Sequence, residues 1–119
     1  MKKYLLDTNS IIYALNSGFK FPLNEYLFSI ITEIELLSYS KLSEEDENIL
    51  KLALSNFQQI SITQEIKNKT IEIRKNTKLK LPDSLIVATA IINHSVLVTS
   101  DKQLLNTQLV ETIELKNLK

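Results

Sequence analysis

The sequence predicts an α/β protein with three layers, in which helices cover both faces of a central, mainly parallel sheet. Short apolar segments typical of strands alternate with amphipathic segments typical of helices along the whole chain. A 44% hydrophobic content with only one Gly and two Pro predicts regular elements joined by short connections. At 119 residues the chain can bury its own core, so we expect residues 1–119 to form a single domain.

The predicted elements follow one another as strand and helix. Apolar, β-branched and aromatic residues predict strands over 2–7, 26–31, 57–63, 95–100 and 110–115. Helical spacing of apolar residues predicts helices over 9–16, 32–40, 44–55, 64–78, 82–93 and 102–105. The carboxyl ends of parallel strands meet at one edge of a sheet, where ligands gather. Functional residues are therefore expected directly after the strands.

Composition excludes several classes of protein. A net charge of zero argues against a generic polyanion binder. The absence of Cys excludes disulfides and thiolate chemistry and favours a reducing compartment, so we expect a cytoplasmic protein. The N-terminus does not read as a signal peptide, and the apolar run over 85–92 is too short to cross a bilayer, so no membrane contact is expected. A single Gly excludes a glycine-rich phosphate loop, and the single His, His94, is interpreted as a helix cap or surface residue.

Four acidic residues follow strands or begin helices, and each has a local structural explanation. Asp7 could cap the first helix. Glu35 could form a capping box with Thr32. Asp83 lies in the first turn of a buried helix, whose dipole would keep it ionised. Asp101 follows a strand in a Ser-Asp turn.

Taken together, the four acids predict a metal site at one edge of the sheet. Clustered carboxylates repel one another unless a cation neutralises them. Ligands that are all oxygen select Mg²⁺ or Mn²⁺, ions that generate hydroxide from bound water and shield phosphoryl oxygens. The basic stretch over 67–80 leads directly into Asp83. It is either a solvated helix face or a contact for a nucleic-acid backbone, for which the candidates are Arg74, Lys75, Lys78 and Lys80.

Four segments of the chain, in this order, resemble the PIN-domain family: YLLDTNSIIYAL, SIITEIELL, LPDSLIVATAI and LVTSD. Within that family the chain is most similar to the VapC-like toxin ribonucleases of bacterial type II toxin–antitoxin pairs. The resemblance covers essentially the whole chain. It implies a compact α/β/α fold, a Mg²⁺- or Mn²⁺-dependent endoribonuclease activity, a cognate antitoxin protein that covers the site, and a homodimer.

The resemblance also assigns roles to the acids. The family's four catalytic acids match Asp7, Glu35, Asp83 and Asp101. It implies that Asp7, Asp83 and Asp101 hold the metal ion, while Glu35 ligates it or orients the attacking water. That water would displace the ribose 3′-oxygen from phosphorus and leave a 5′-phosphate.

Three further positions match supporting residues of the family. Thr8 and Asn9 match the polar pair after the first acid, and Thr99 matches a hydroxyl near the metal or phosphate. The chain departs from the family at one place. Members often carry another acid two or three residues after the fourth, where this chain has Gln103 and Leu104. This departure argues against a second metal ion.

Three alternatives are weighed against this interpretation. A receiver-like phosphoacceptor domain would need an Asp after a middle strand, and the predicted strand over 57–63 ends without one. A haloacid-dehalogenase-type phosphatase would need Asp where this chain has Asn9. A catalytically silent PIN-like binding protein would keep the fold and the antitoxin surface, but retention of all four acids argues against it.

Overall fold

A single parallel sheet organises the computed structural model, which describes residues 2–119. Its five strands are β1 (Lys3–Leu6), β2 (Glu25–Ser29), β3 (Gln58–Ile60), β4 (Val96–Val98) and β5 (Thr112–Ile113). They lie in the order β3-β2-β1-β4-β5, and every neighbouring pair is parallel. The predicted parallel sheet is confirmed, and each strand lies within the range expected from the sequence to within one residue.

Helices connect the strands and cover both faces of the sheet. In the described part of the chain they are α1 (Thr8–Ser17), α2 (Ile30–Leu37), α3 (Glu44–Leu54), α4 (Gln64–Asn76), α5 (Leu81–Ile92) and α6 (Lys102–Leu105), with a 3₁₀ turn at Leu115–Asn117. None of these helices has the length and apolar character needed to cross a lipid bilayer. The predicted three-layer α/β arrangement is confirmed.

Alternation along β1 shows how the two faces are filled. Tyr4 and Leu6 pack on one side of the sheet with buried residues of α1, α2 and α3. Leu5 packs on the other side with buried residues of α4 and α5. Since successive side chains of a strand point to opposite faces, a central parallel strand must be apolar throughout. This is why the run before Asp7 contains no polar residue.

The strand order creates a crevice between β1 and β4. The chain adds β2 and β3 on one side of β1 and then crosses over to add β4 and β5 on the other side. In open parallel sheets, ligands bind outside the carboxyl ends of the strands at such a reversal. The order also differs from the 2-1-3-4-5 order of receiver-type sheets, so the receiver alternative is wrong.

Helix α2 begins at Ile30, two residues before the start that the sequence predicts. Ser29 caps this helix and accepts a hydrogen bond from the backbone N–H of Ile31 at 3.2 Å. Thr32 is therefore inside the helix, where its side chain is fully buried. The capping box predicted between Thr32 and Glu35 is wrong, because the helix begins two residues before Thr32. The Glu35 side chain is thereby available for another contact.

The end of α5 is held by a left-handed residue, His94, with φ of 52°. The His94 N–H donates to the Ile91 carbonyl at 3.1 Å, and the Ser95 N–H donates to the Ala90 carbonyl at 3.0 Å. This is the Schellman arrangement, in which Gly is the preferred left-handed residue. His94 is thus a helix cap on the surface, as the sequence predicts.

Replacing His94 with Gly should stabilise the protein. Removing the Cβ relieves a left-handed conformation that costs an ordinary residue about 1 kcal/mol, so we expect the free energy of unfolding in urea to rise by up to about that amount. Gln108, with φ of 58°, should respond to Gly in the same direction. The control is Asn93→Gly, because Asn93 has a φ of −92°. A stability loss on His94→Gly equal to that of Asn93→Gly would contradict this account.

Candidate active site

Four elements bring the predicted acids to one place. Asp7 follows β1, Glu35 lies on α2, Asp83 lies in the first turn of α5, and Asp101 follows β4 by three residues. All four line a cavity of about 140 Å³ at the carboxyl edge of the sheet. Among the other residues that line it are Thr8, Asn9, Pro82 and Leu104. The fold therefore brings all four predicted acids to the lining of one cavity.

Asp7 has a structural contact and still presents a carboxylate to the cavity. Its Oδ1 accepts a hydrogen bond from the Ser10 N–H at 2.8 Å, which caps α1. The residue is only 7% exposed. Among the described contacts its Oδ2 receives no hydrogen bond. The capping interpretation and the functional interpretation of Asp7 are thus compatible, since each uses a different oxygen.

Ser10 fixes this corner of the site, and the sequence analysis missed it. The Val98 carbonyl at the end of β4 accepts hydrogen bonds from the Ser10 hydroxyl at 3.1 Å and from the Asp7 N–H at 3.2 Å. Ser10 is buried. The start of α1 is therefore tied to the end of β4. A small hydroxyl residue three positions after the cap was the available signal, but its partner is 88 residues away.

Thr8 orients Glu35. The Thr8 hydroxyl donates to Glu35 Oε1 at 2.7 Å, and Thr8 Oγ1 also lies 3.4 Å from the buried Thr32 hydroxyl. Glu33, two positions earlier, instead accepts a hydrogen bond from Gln59. Only Glu35 of these two acids lines the cavity. The Thr that follows the first acid thus positions the second acid across the site.

Thr99 and Asp101 form the β4 side of the site. The Thr99 hydroxyl accepts a hydrogen bond from the Asp101 N–H at 3.1 Å, and Asp101 Oδ1 accepts one from the Gln103 N–H at 2.8 Å. Thr99 is fully buried and is not among the residues that line the cavity. The Thr99 hydroxyl therefore stabilises the turn that carries Asp101. The resemblance had instead implied a position for this hydroxyl near the metal or the phosphate.

Burial and the neighbouring acids change the electrostatics of Asp83. Burial raises the pKa of the Asp83 carboxyl, and the negative charges of Asp101, Glu35 and Asp7 raise that pKa further, while Lys80 lowers it. We expected the helix dipole to keep Asp83 ionised. Burial and the three like charges act in the opposite direction and raise the pKa, because the neutral form of a carboxyl is favoured away from water and close to other anions.

The oxygen donors fit a partly hydrated hard cation. As they stand, no three Asp, Glu, His or Cys side chains of residues 2–119 are grouped closely enough to enclose a metal ion. Mg²⁺, however, takes one or two carboxylates and completes its shell with water and substrate phosphate. Asp7, Glu35 and Asp101 each use a single carboxylate oxygen in the hydrogen bonds described. Burial, and after it the charges of Asp101, Glu35 and Asp7, raise the pKa of Asp83, and a bound cation would favour the ionised form of that carboxyl.

The four predicted basic residues lie in three places near the junction of α4 and α5. Lys80 is the exposed N-cap residue of α5, three positions before Asp83, and its charge lowers the pKa of that carboxyl. Arg74 and Lys75 are exposed in the last turn of α4, where the helix dipole stabilises cations. Lys78 lines a separate depression. The cavity and the basic side chains therefore share the α4–α5 end of the molecule.

Comparison with known proteins identifies the family. A model of the PIN domain family matches residues 4–108. No curated protein sequence matches the chain. Among solved structures, a chain of a toxin–antitoxin complex from Klebsiella pneumoniae is 33% identical, with a TM-score of 0.75, and the alignment covers 93% of this chain and 98% of that one.

Two more distant structures bear on the fold alone. VapBC2 from Rickettsia felis, bound to a DNA fragment from its promoter, is 24% identical with a TM-score of 0.81 and coverage of 94% of this chain and 98% of that one. DNA-bound VapBC from Salmonella typhimurium is 22% identical with a TM-score of 0.80 and coverage of 96% and 98%. The chain therefore belongs to the PIN-domain family and has the fold of that family's VapC-like members.

Proposed function

We propose that this protein is a Mg²⁺- or Mn²⁺-dependent endoribonuclease that acts as the toxin of a toxin–antitoxin pair. The observation that carries the proposal is the single cavity lined by Asp7, Glu35, Asp83 and Asp101 at the switch point of a parallel sheet. Such a cavity suits a divalent ion and a phosphodiester. Membership of the PIN-domain family supports the same chemistry.

The residues divide the work of phosphodiester hydrolysis. Asp7, Asp83 and Asp101 would hold the ion, which supplies a more acidic bound water and shields the phosphoryl oxygens. Glu35, held by Thr8, orients the attacking water. The water oxygen bonds to phosphorus and the bond from phosphorus to the ribose 3′-oxygen breaks. One product then ends in a 5′-phosphate and the other in a 3′-hydroxyl that has taken up a proton.

A cleavage assay tests this proposal directly. The purified protein is incubated with total RNA and with single-stranded oligoribonucleotides in Mg²⁺, in Mn²⁺ and in EDTA. We expect internal cuts with 5′-phosphate ends in the presence of either ion and none in EDTA. Equal cleavage in EDTA would contradict metal dependence. No cleavage with either ion would favour the catalytically silent binding protein.

The contact between Thr8 and Glu35 gives a prediction for the catalytic rate. Thr8→Val keeps the side-chain shape but removes the hydroxyl that donates to Glu35. We expect kcat to fall by about ten- to a hundredfold, because a displaced catalytic group loses much of its effect. Thr8→Ser should retain most of the parent kcat. Equal kcat values for Thr8→Val and the parent would show that this hydrogen bond does not position Glu35 for catalysis.

An apolar groove supports the antitoxin part of the proposal. Helices α1, α2 and α3 enclose a groove of about 570 Å³ whose lining includes Ile12, Leu15, Tyr39, Ile49 and Glu35. The first four of these are large apolar or aromatic side chains that are 38–62% exposed, and exposed apolar patches mark protein contacts. Glu35 lines both this groove and the acidic cavity. A protein segment bound in the groove would therefore lie next to the acidic cavity.

The antitoxin assignment is tested with the neighbouring reading frame. We expect a small gene next to this one to encode a protein that copurifies with the chain and inhibits its ribonuclease activity. Leu15→Arg should weaken that complex at least about tenfold, because it puts a charge into an apolar contact. Unchanged binding would place the partner elsewhere. The resemblance also predicts a homodimer, and light scattering of the purified protein would measure its oligomeric state. Because the proposed substrate is cellular RNA, we expect the protein to act in the cytoplasm.

A further inference from the structure

A second depression lies beside the carboxylate cavity. It has a volume of about 270 Å³ and is formed by the connection between α4 and α5 on one side and by α6 and the segment after it on the other. Leu104 lines the carboxylate cavity, while the preceding residue, Gln103, lines this depression. The two depressions therefore lie next to each other at α6.

The lining of the second depression differs in charge from that of the first. It contains the cation Lys78, the neutral polar side chains of Gln103 and Thr107, and Leu109, which is 40% exposed. Among the hydrogen bonds and ion pairs described, the side chains of Lys78 and Gln103 take part in none. The Thr107 hydroxyl accepts from the Leu109 N–H at 3.3 Å. The second depression is thus lined by a cationic residue, Lys78, an amide residue, Gln103, and an apolar residue, Leu109.

Gln103 has a distinct place in this arrangement. Its backbone N–H donates to Asp101 Oδ1 at 2.8 Å, and the residue lines the second depression but not the carboxylate cavity. The residue therefore does not stand where a lost carboxylate ligand would stand. An amide offers both a donor and an acceptor, and it does not repel phosphate as a carboxylate would.

We propose that the second depression binds the nucleotide next to the scissile phosphodiester, and that Gln103 reads its base. Lys78 contacts a backbone phosphate, the Gln103 amide bonds to the edge of the base, and Leu109 packs against its apolar face. Single-stranded RNA presents base edges and faces in this way. The inference rests on the proposed function, because it takes RNA as the substrate, and it adds a site for sequence preference.

RNA binding without turnover tests this inference. Fluorescein-labelled homopolymers of about ten nucleotides, one for each base, are titrated in EDTA against the full chain, and binding is followed by anisotropy. We expect the parent to prefer one base and Gln103→Ala to reduce that preference by about fivefold or more. Lys78→Gln should weaken all four complexes alike and lower the salt dependence by about one phosphate contact. Lys78→Arg should keep the parent affinity and the parent salt dependence, because it retains the positive charge.

Matched controls lie elsewhere on the surface. Gln64→Ala changes an exposed Gln at the start of α4, and Lys20→Gln changes an exposed Lys between α1 and β2, at the opposite edge of the sheet. Both should bind like the parent. If Gln103→Ala keeps the base preference, or if Lys20→Gln matches Lys78→Gln, the inference is overturned.

The same titrations separate this inference from the proposed function. A parent that binds RNA with a Gln103-dependent preference but cuts nothing in Mg²⁺ or Mn²⁺ would overturn the nuclease proposal and leave the nucleotide site standing. A parent that cuts RNA while the Gln103 and Lys78 variants bind and cut normally would overturn the nucleotide site alone. A parent that binds none of the four homopolymers would overturn the nucleotide site.

Discussion

Asp7→Asn should reduce RNA cleavage by about a hundredfold or more and leave the fold intact. Loss of a residue that merely supports a metal ligand costs ten- to a hundredfold in affinity or activity, so loss of a direct ligand should cost at least as much. The amide oxygen of Asn can still accept the hydrogen bond from the Ser10 N–H, and Asn caps helices as well as Asp. The measurements are the cleavage rate and the melting temperature.

Asp7→Ala separates the two roles of this residue. It removes the negative charge and the capping oxygen together, so it should lose cleavage and also about 1 kcal/mol of stability. Glu65→Gln is the charge-matched control, because Glu65 is exposed in the first turn of α4, outside the cavity. Cleavage by Asp7→Asn at the parent rate would show that Asp7 is only a helix cap.

Asp83→Asn should also abolish cleavage, and it should raise the melting temperature near pH 7. Burial and three neighbouring anions disfavour the ionised form of the parent carboxyl and raise its pKa. Asn removes the unfavourable charge, so we expect a gain of about 1–3 °C without added metal. Mg²⁺ at saturating concentration should stabilise the parent and have little effect on this variant, because a ligand stabilises only the folded form that binds it.

The pH dependence of that gain follows from the sign of the shift. The pKa of Asp83 is higher in the folded chain than in the unfolded chain. At pH values between the two pKa values, the folded state therefore binds more protons than the unfolded state. Stability of the parent should fall as pH rises from the ordinary Asp value, about 4, through the raised value. Asp83→Asn should lack this part of the profile. Parallel stability curves for parent and variant would contradict the assigned shift.

The sequence was sufficient for the architecture because local signals and packing agree. The apolar run ending at Asp7 is a central strand, and Gly18 ends α1 in the left-handed conformation expected of a C-terminal Gly. Pro82 lies in the first turn of α5, as a helix start predicts. Each of these features depends on a few neighbouring residues. Hydrophobic periodicity and turn chemistry therefore place the strands without knowledge of their partners.

Details of the site depend on contacts that are distant in sequence. Ser10 is bonded to Val98, and Thr8 is bonded to Glu35, 27 positions away. No pattern of neighbouring residues in the sequence predicts that Ser10 contacts Val98 or that Thr8 contacts Glu35. The raised pKa of Asp83 likewise requires the positions of three other acids. Sequence reasoning could therefore name the acids, but it could not say which oxygen of Asp7 and of Asp101 is committed to a helix cap.

The most direct test of the account is the position of a Mn²⁺ ion in crystals of the protein soaked in MnCl₂. Anomalous scattering locates Mn²⁺ independently of any assumption about ligands. The account predicts a peak in the cavity at about 2.0–2.2 Å from an oxygen of Asp7 or Asp83, and its loss in Asp7→Asn crystals. A peak only at the first turn of α3, which contains Glu44, Glu45, Asp46 and Glu47, or no peak at saturating Mn²⁺, would contradict it.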